Sequence, residues 1–432
     1  MTELSQTASL PAALQKHVAG DFAGAEAVYR ALLAANPHDA QALHYLGFLL
    51  QQCDRLTEAR DTLLAAIALD AGHSEWHFNL GLTLFRLGEL DAAVAAYLQA
   101  LARDGSKYFY WTNLGVALEQ LQRDAEAEQS FQAATRLDPH CPDAYYLLCN
   151  LCRKLGRREE ARRYNAQGIV AAPEACNSKI LVGQAYHDLG QTDKAVALFQ
   201  TWAQAEPDNP IPAHLLTAYQ APCDATRCAD DYVARTFDEF AKSFEDTLTR
   251  LQYSGPSLAR DYVGSQSYGP ASLDVLDLGC GTGWIGEILK PLARRLVGVD
   301  LSAAMLEKAR AKQLYDALHQ SDIEAFVRDS GEQYDLVACM DTLIYLGRLD
   351  ALFAGVHARL RADGHFLFTT ESHEAIDDFR LNISGRYSHA GSYVQLALRN
   401  AGFAITDMRE VPIRKESGTP VLGHFVVARC IQ

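Results

Sequence analysis

Two rhythms of apolar residues divide the chain. In the first half a small residue returns at a fixed interval: Ala25, Ala59, Ala93, Ala127, Ala161 and Ala195 are 34 residues apart. Twelve positions before the last five of these stand Gly47, Gly81, Gly115, Cys149 and Gly183, and a leucine precedes most of them. Bulky Leu63, Tyr97, Phe131 and Phe199 recur in the other half of the repeat, and Pro37, Pro139, Pro173 and Pro207 close four of the units. Antiparallel helices approach closely only where the facing residues are small, and proline ends a helix. The pattern predicts six helix pairs from about residue 6 to residue 209, the first irregular as a terminal cap would be.

The rhythm breaks at Pro210, Pro212 and Pro222, and residues 210–231 are predicted as a capping helix and linker. Beyond them, over 232–432, the pattern changes. Tyr232, Phe237, Phe240 and Phe244 recur at helical spacing, and then short apolar runs alternate with helical stretches. Val275–Leu278, Leu296–Val299, YDLVACM and HFLFTTE read as buried strands. After a polar insertion at 371–388 and a last helix, FAITDMREV and PVLGHFVVAR follow each other as a hairpin. An all-α solenoid followed by an α/β sheet is the expected fold.

The chemistry concentrates between these first two strands. Gly279, Gly281 and Gly283 stand at alternate positions between a strand and a helix, where backbone N–H groups are free to face a ligand. Asp300 ends the next strand, placed to accept hydrogen bonds from a ribose diol. Gly281, Gly283 and Gly286 also satisfy the dinucleotide fingerprint. Asp277 decides between the readings, because its carboxylate repels a pyrophosphate and attracts an ammonium. The string DLGCGTG with Asp300 after it resembles motifs I and II of class I S-adenosylmethionine-dependent methyltransferases. That resemblance implies a Rossmann-like seven-stranded sheet and S-adenosylmethionine as cofactor. It places Asp277, Gly279, Gly281 and Gly283 at the methionine end, Asp300 and the adjacent Leu301 at the ribose, and Asp322 with Ile323 at the adenine.

Further resemblances fill in the rest. The 34-residue units look like tetratricopeptide repeats. Asn79 and Asn113, at one inner position of successive units, resemble the asparagine ladder of peptide-binding repeats in O-linked N-acetylglucosamine transferases, which implies a groove for a protein or peptide partner. Residues 237–245 resemble the FD-x-x-A helix that covers the cofactor in many small-molecule methyltransferases, with Glu245 in place of aspartate, so Phe237 and Phe244 are expected against the substrate. Asp341 and Tyr345, after the fourth strand, border the reacting group in that fold. His389 is a candidate base, and Arg386 with Tyr387 suits an anionic acceptor. GRYSHAGSYV and IRKESGTPVLG resemble a bacterial family of predicted methyltransferases that carry tetratricopeptide repeats.

Composition narrows the classes. A chain of 432 residues is long enough for two domains, and its net charge of −15 is the wrong sign for gripping nucleic acid. No apolar stretch has the length of a membrane span, and the N-terminus lacks a signal pattern, so a cytoplasmic protein is expected. Of ten cysteines, Cys149 and Cys152 form a CxxC without a second ligand pair; they fall on helix core positions, and no metal is expected. Three functions stay open: a methyltransferase whose repeats recruit a protein acceptor, a small-molecule methyltransferase whose repeats serve assembly, and a binding protein with a cofactor-sensing domain.

Overall fold

The computed structural model describes residues 9–220, 225–373, 378–416 and 418–431; Pro222 and part of the polar insertion lie outside them. The chain divides into two compact units, Met1–Thr192 and Asp193–Gln432. No helix among the described residues is long and apolar enough to cross a membrane.

The first unit is a run of antiparallel helix pairs, beginning with Leu10–Val18 and Phe22–Ala35. The periodic alanines lie in its core, with Ala25, Ala59, Ala93 and Ala127 wholly buried. The periodic glycines have a measurable reason to be small. A Cβ at Gly47 would stand 2.7 Å from Leu63, one at Gly81 2.6 Å from Tyr97, and one at Gly115 2.4 Å from Phe131. Each glycine therefore receives the bulky residue that follows the next alanine by four positions. In the fifth repeat Cys149 replaces the glycine and Asn165 stands where the bulky residue would be. Gly115→Val, in the fourth repeat, is accordingly expected to destabilise the helix array by about 1–3 kcal/mol, the cost of overpacking a filled contact. Unchanged denaturant unfolding would show that the Phe131 ring can move aside.

The asparagine ladder does not form. Asn79 is only 5% exposed, and its side-chain amide donates to His44 Nε2 at 3.0 Å, across neighbouring helix pairs. Gln51 donates to the Asn79 carbonyl at 3.1 Å and to Thr83 Oγ1 at 2.9 Å. Asn113 donates to the Phe109 carbonyl of its own helix at 2.7 Å. The Asn79 amide is spent inside the repeats because the interface that packs around it is closed, whereas half-buried Asn113 bonds within its own helix. Cys149 and Cys152 are buried against Ala161, and burial raises both thiol pKa values.

The helix Thr192–Ala205, which carries the last periodic alanine, opens at the boundary and belongs with the second unit apart from its first residue. So does the helix Pro210–Tyr219, expected as a cap on the repeats. Its His214 stacks on Tyr232 at 3.8 Å and hydrogen-bonds the Gly385 carbonyl at 2.9 Å. The second unit is a sheet with helices on both faces. Its strands among the described residues are β1 (Leu273–Leu278), β2 (Ala293–Asp300), β3 (Ala317–Gln320), β4 (Tyr334–Cys339), β5 (Leu360–Ser372), β6 (Phe379–Leu381), β7 (Tyr387–His389), β8 (Phe403–Glu416) and β9 (Thr419–Cys430). β3, β2, β1, β4 and β5 lie in that order and run parallel, and β9 then pairs antiparallel with both β5 and β8. These seven make up the seven-stranded sheet that the resemblance implies. The insertion supplies two more, because β7 joins the end of β5 at Glu371 and Ser372 and β6 pairs with β7. β1 is covered on both faces, Val275 in one core and Leu276 and Leu278 in the other, which is why its sequence is a continuous apolar run.

Candidate active site

The chain order reverses at β1, which lies between β2 and β4, and ligands of open α/β sheets bind beyond the carboxyl ends of such strands. A cleft opens there. Gly279, Gly281 and Gly283 all take left-handed conformations, with φ of +70°, +54° and +84°. A Cβ at Gly279 would stand 2.1 Å from Thr342 Oγ1, beyond β4, so glycine is also required by space. Asp300 anchors this loop. Its carboxylate accepts the Gly281 amide at 2.9 Å and the Ser302 amide at 2.8 Å. Burial raises its pKa, and these two amides oppose that rise.

Gly279, Gly281, Asp300, Leu301, Asp322 and Ile323 line the cleft, as do Phe237, Phe244, Asp341 and Tyr345. Asp277 and Gly283 do not line it. Asp277 is 1% exposed beneath the loop, where Tyr315 donates to it at 2.7 Å, and burial pushes its carboxyl up to about 7. The Tyr315 ring occupies the space that side chains at Gly283, Gly286 and Gly298 would take. The fingerprint glycine at 286 thus has a packing reason, and Asp277 has a partner other than an ammonium.

One wall is the helix Asp230–Phe240, a tight turn, and the helix Phe244–Arg250. Two carboxylates fasten it. Asp238 accepts from Ser302 Oγ at 2.6 Å and the Ala304 amide at 3.2 Å. Glu245 accepts from Thr282 Oγ1 at 2.5 Å and Lys312 at 2.8 Å. Phe237 and Phe244 face inward, the former edge-on to Tyr345 at 5.4 Å, whereas Tyr232 is turned away onto His214. Asp322 caps the helix Ile323–Asp329 through the Ala325 amide at 2.9 Å, and it also binds Arg227 at 2.8 Å. Arg227 lines the cleft but is held by Glu324 and Asp230 as well.

The far end departs most from expectation. Asp341 has φ +55°, a strained conformation for a residue with a side chain, and its amide donates to Thr369 Oγ1 at 2.9 Å. Arg414, 3% exposed, donates to Asp341 at 3.2 Å and pairs with Glu371 and with Glu416. Arg386 pairs with the same two glutamates, so it is not free for an anionic acceptor. Burial, outweighing Arg414, lifts Asp341 to about 6. Tyr387 donates to the Ala225 carbonyl at 3.0 Å, away from the cleft. His389 is wholly buried, and its Nε2 lies 2.9 and 3.0 Å from the Leu346 and Gly347 carbonyls, so that nitrogen carries the hydrogen. Burial pushes its pKa down to about 4. His389 therefore pins the turn that carries Tyr345 and does not reach a ligand as a base.

The residues present fit a nucleoside with an attached sulfonium amino acid. The glycine loop leaves room for backbone approach, Asp300 can still accept a diol, and Leu301, Met305 and Ile323 offer apolar contact to a base. Sequence reasoning passed over Tyr253, Trp284, Arg227 and, beside Asp341 and Arg386, the side chains of Glu371, Arg414 and Glu416. The glycine run directly before Trp284 was the available signal for that residue.

Residues 275–364 match the family model of a methyltransferase domain. Tetratricopeptide-repeat models match residues 19–77, 49–108, 78–142, 120–177 and 177–209. Among curated proteins the chain is similar to the ubiquinone biosynthesis O-methyltransferase of Pasteurella multocida, 29% identical over 31% of this chain and 62% of that one. It is also similar to the malonyl-[acyl-carrier protein] O-methyltransferase of Bacillus cereus, 31% identical over 25% of this chain and 41% of that one. The chain thus spans about six-tenths or less of the length of these relatives. A solved S-adenosylmethionine-dependent methyltransferase structure from Listeria monocytogenes aligns with 41% of this chain and 99% of its own, at 20% identity and a TM-score of 0.34. The chain carries tetratricopeptide repeats within residues 19–209 and, around residues 275–364, a methyltransferase domain whose methyl donor is S-adenosylmethionine.

Proposed function

We propose that the chain transfers a methyl group from S-adenosylmethionine to an oxygen of a small acceptor, and that its repeats dock a protein partner. The observation that carries the reading is the walled cleft beyond β1, β2 and β4, with Asp300 at one end and Asp341 among aromatic rings at the other. Both curated relatives named above are O-methyltransferases by name. The donor brings an electrophilic methyl on sulfur. This chain's residues hold the nucleoside (Asp300, Ile323), exclude water (Phe237, Phe244, Tyr345) and receive the acceptor's proton (Asp341). Alignment and desolvation supply much of the rate in such a displacement. A second reading, in which a protein held by the repeats is itself methylated, is favoured by the unbroken run of repeats, which a small acceptor does not need. Incubation with labelled donor and, separately, a metabolite extract and a proteome extract tests both. Label in a small molecule supports the first reading; label confined to protein supports the second, and no label from either sinks both.

Asp300→Ala removes the acceptor of two backbone amides and of the proposed ribose bonds. Donor affinity is expected to fall by about 2 kcal/mol, roughly thirtyfold, as charge-assisted hydrogen bonds are lost. Calorimetry showing less than a twofold change would place the ribose elsewhere.

A further inference from the structure

The acceptor end of the cleft has a charge balance that selects its substrate. Asp341 stands there in a wall of Phe237, Phe244, Tyr253, Trp284 and Tyr345. The cations around it are committed. Arg414 is shared among Asp341, Glu371 and Glu416, and Arg386 between the same two glutamates. Three acids thus meet two arginines, which leaves one negative charge uncompensated, and Asp341 is the acid that lines the cleft. The cation lining the cleft, Arg227, is triply paired with Asp230, Asp322 and Glu324. Among the described residues no hydrogen bond is made to Asp341 Oδ2, while Oδ1 is taken by Arg414.

We infer that the acceptor is an uncharged, hydroxyl-bearing aromatic molecule and that acceptors with a carboxylate at this end are refused, an inference that rests on the small-acceptor reading above. A carboxylate would be buried beside Asp341 with no unpaired cationic side chain among the described cleft residues to offset the repulsion, whereas a phenolic O–H donates to it. The transfer then balances. The acceptor oxygen bonds to the methyl carbon, the carbon–sulfur bond breaks with its electron pair going to sulfur, and the hydroxyl proton passes to Asp341. The sulfonium and the carboxylate both end neutral.

The full-length protein, saturated with S-adenosylhomocysteine, tests this by equilibrium dialysis against catechol and against benzoate. At pH 8 catechol should bind at least about tenfold more tightly than benzoate, a gap of one like-charge contact even when solvent screens it heavily. Asp341→Asn should narrow the gap to about threefold or less, through tighter benzoate binding. The parent protein supplies a check independent of that variant. Benzoate should bind more tightly at pH 5 than at pH 8, as Asp341 takes a proton among Arg414, Arg386, Glu371, Glu416 and Tyr253. Benzoate binding as tightly as catechol, a gap untouched in Asp341→Asn, or benzoate binding independent of pH would each overturn the inference. Failure to bind S-adenosylhomocysteine would instead sink the methyltransferase reading itself.

Discussion

Arg414→Met is expected to cost about 3–5 kcal/mol of stability, the range for removing one partner of a buried ion pair. Arg414 is 3% exposed and touches three carboxylates, so its loss leaves half-buried Asp341 without its ion pair and buried Glu371 with Arg386 alone. The sign of the pH dependence follows. Asp341, whose pKa burial already raises, would lose the cation that opposes the rise, so it destabilises when ionised and recovers when protonated. The deficit of Arg414→Met relative to the parent should therefore be smaller at pH 5 than at pH 8. Denaturant unfolding at both values measures it. A deficit below about 1 kcal/mol, the scale of exposed pairs, would show that water reaches the cluster.

Through His389 the sign is opposite, and acid should destabilise the parent fold. In the unfolded chain this histidine takes up a proton below its ordinary value near 6.5, while in the folded protein uptake is deferred to about 4. Between the two the unfolded chain binds more protons, so stability is present above 6.5 and is lost as the pH falls toward 4. The full loss is about 3 kcal/mol, of which about 2 appear between pH 7 and pH 5. His44, stacked on Trp76 in the repeats, is displaced in the same direction to about 4. His389→Gln keeps a side-chain N–H for the Leu346 and Gly347 carbonyls but cannot titrate. Its unfolding free energy should change less than the parent's between pH 7 and pH 5, by that same 2 kcal/mol or so. Identical pH slopes in the two proteins would mean that His389 protonates without leaving its bonds.

The repeats were legible because their signal is redundant: six alanines, four glycines and four prolines report one geometry at one spacing. The sheet was legible for the same reason, as each buried strand announces itself by composition. The glycine loop and Asp300 could be read because backbone strain and a strand end constrain residue type directly. The roles of Asn79, Asp277, Arg386 and His389 could not, since a polar residue has the same identity whether a ligand or a neighbour satisfies it. Arg414 was hidden by an irregularity. The β8–β9 register shifts between Pro412 and Arg414, and Ile413 and Arg414 are both buried, which defeats an alternation count. The insertion looked like a polar loop because β6 and β7 have only three residues each, too few for a period.

The bond between Asn79 and His44 has a bearing on how this array can change over generations. The contacts of Gly47, Gly81 and Gly115 with Leu63, Tyr97 and Phe131 each lie inside one helix pair, so duplicating or deleting a pair carries them along intact. The seam between the second and third helix pairs is different, because its amide and imidazole answer each other. An unequal crossover there would strand one polar group against an apolar face, at about 1–3 kcal/mol for an unsatisfied buried group. That seam acts as a key, fixing which unit can follow which, and with it the length of the array on either side.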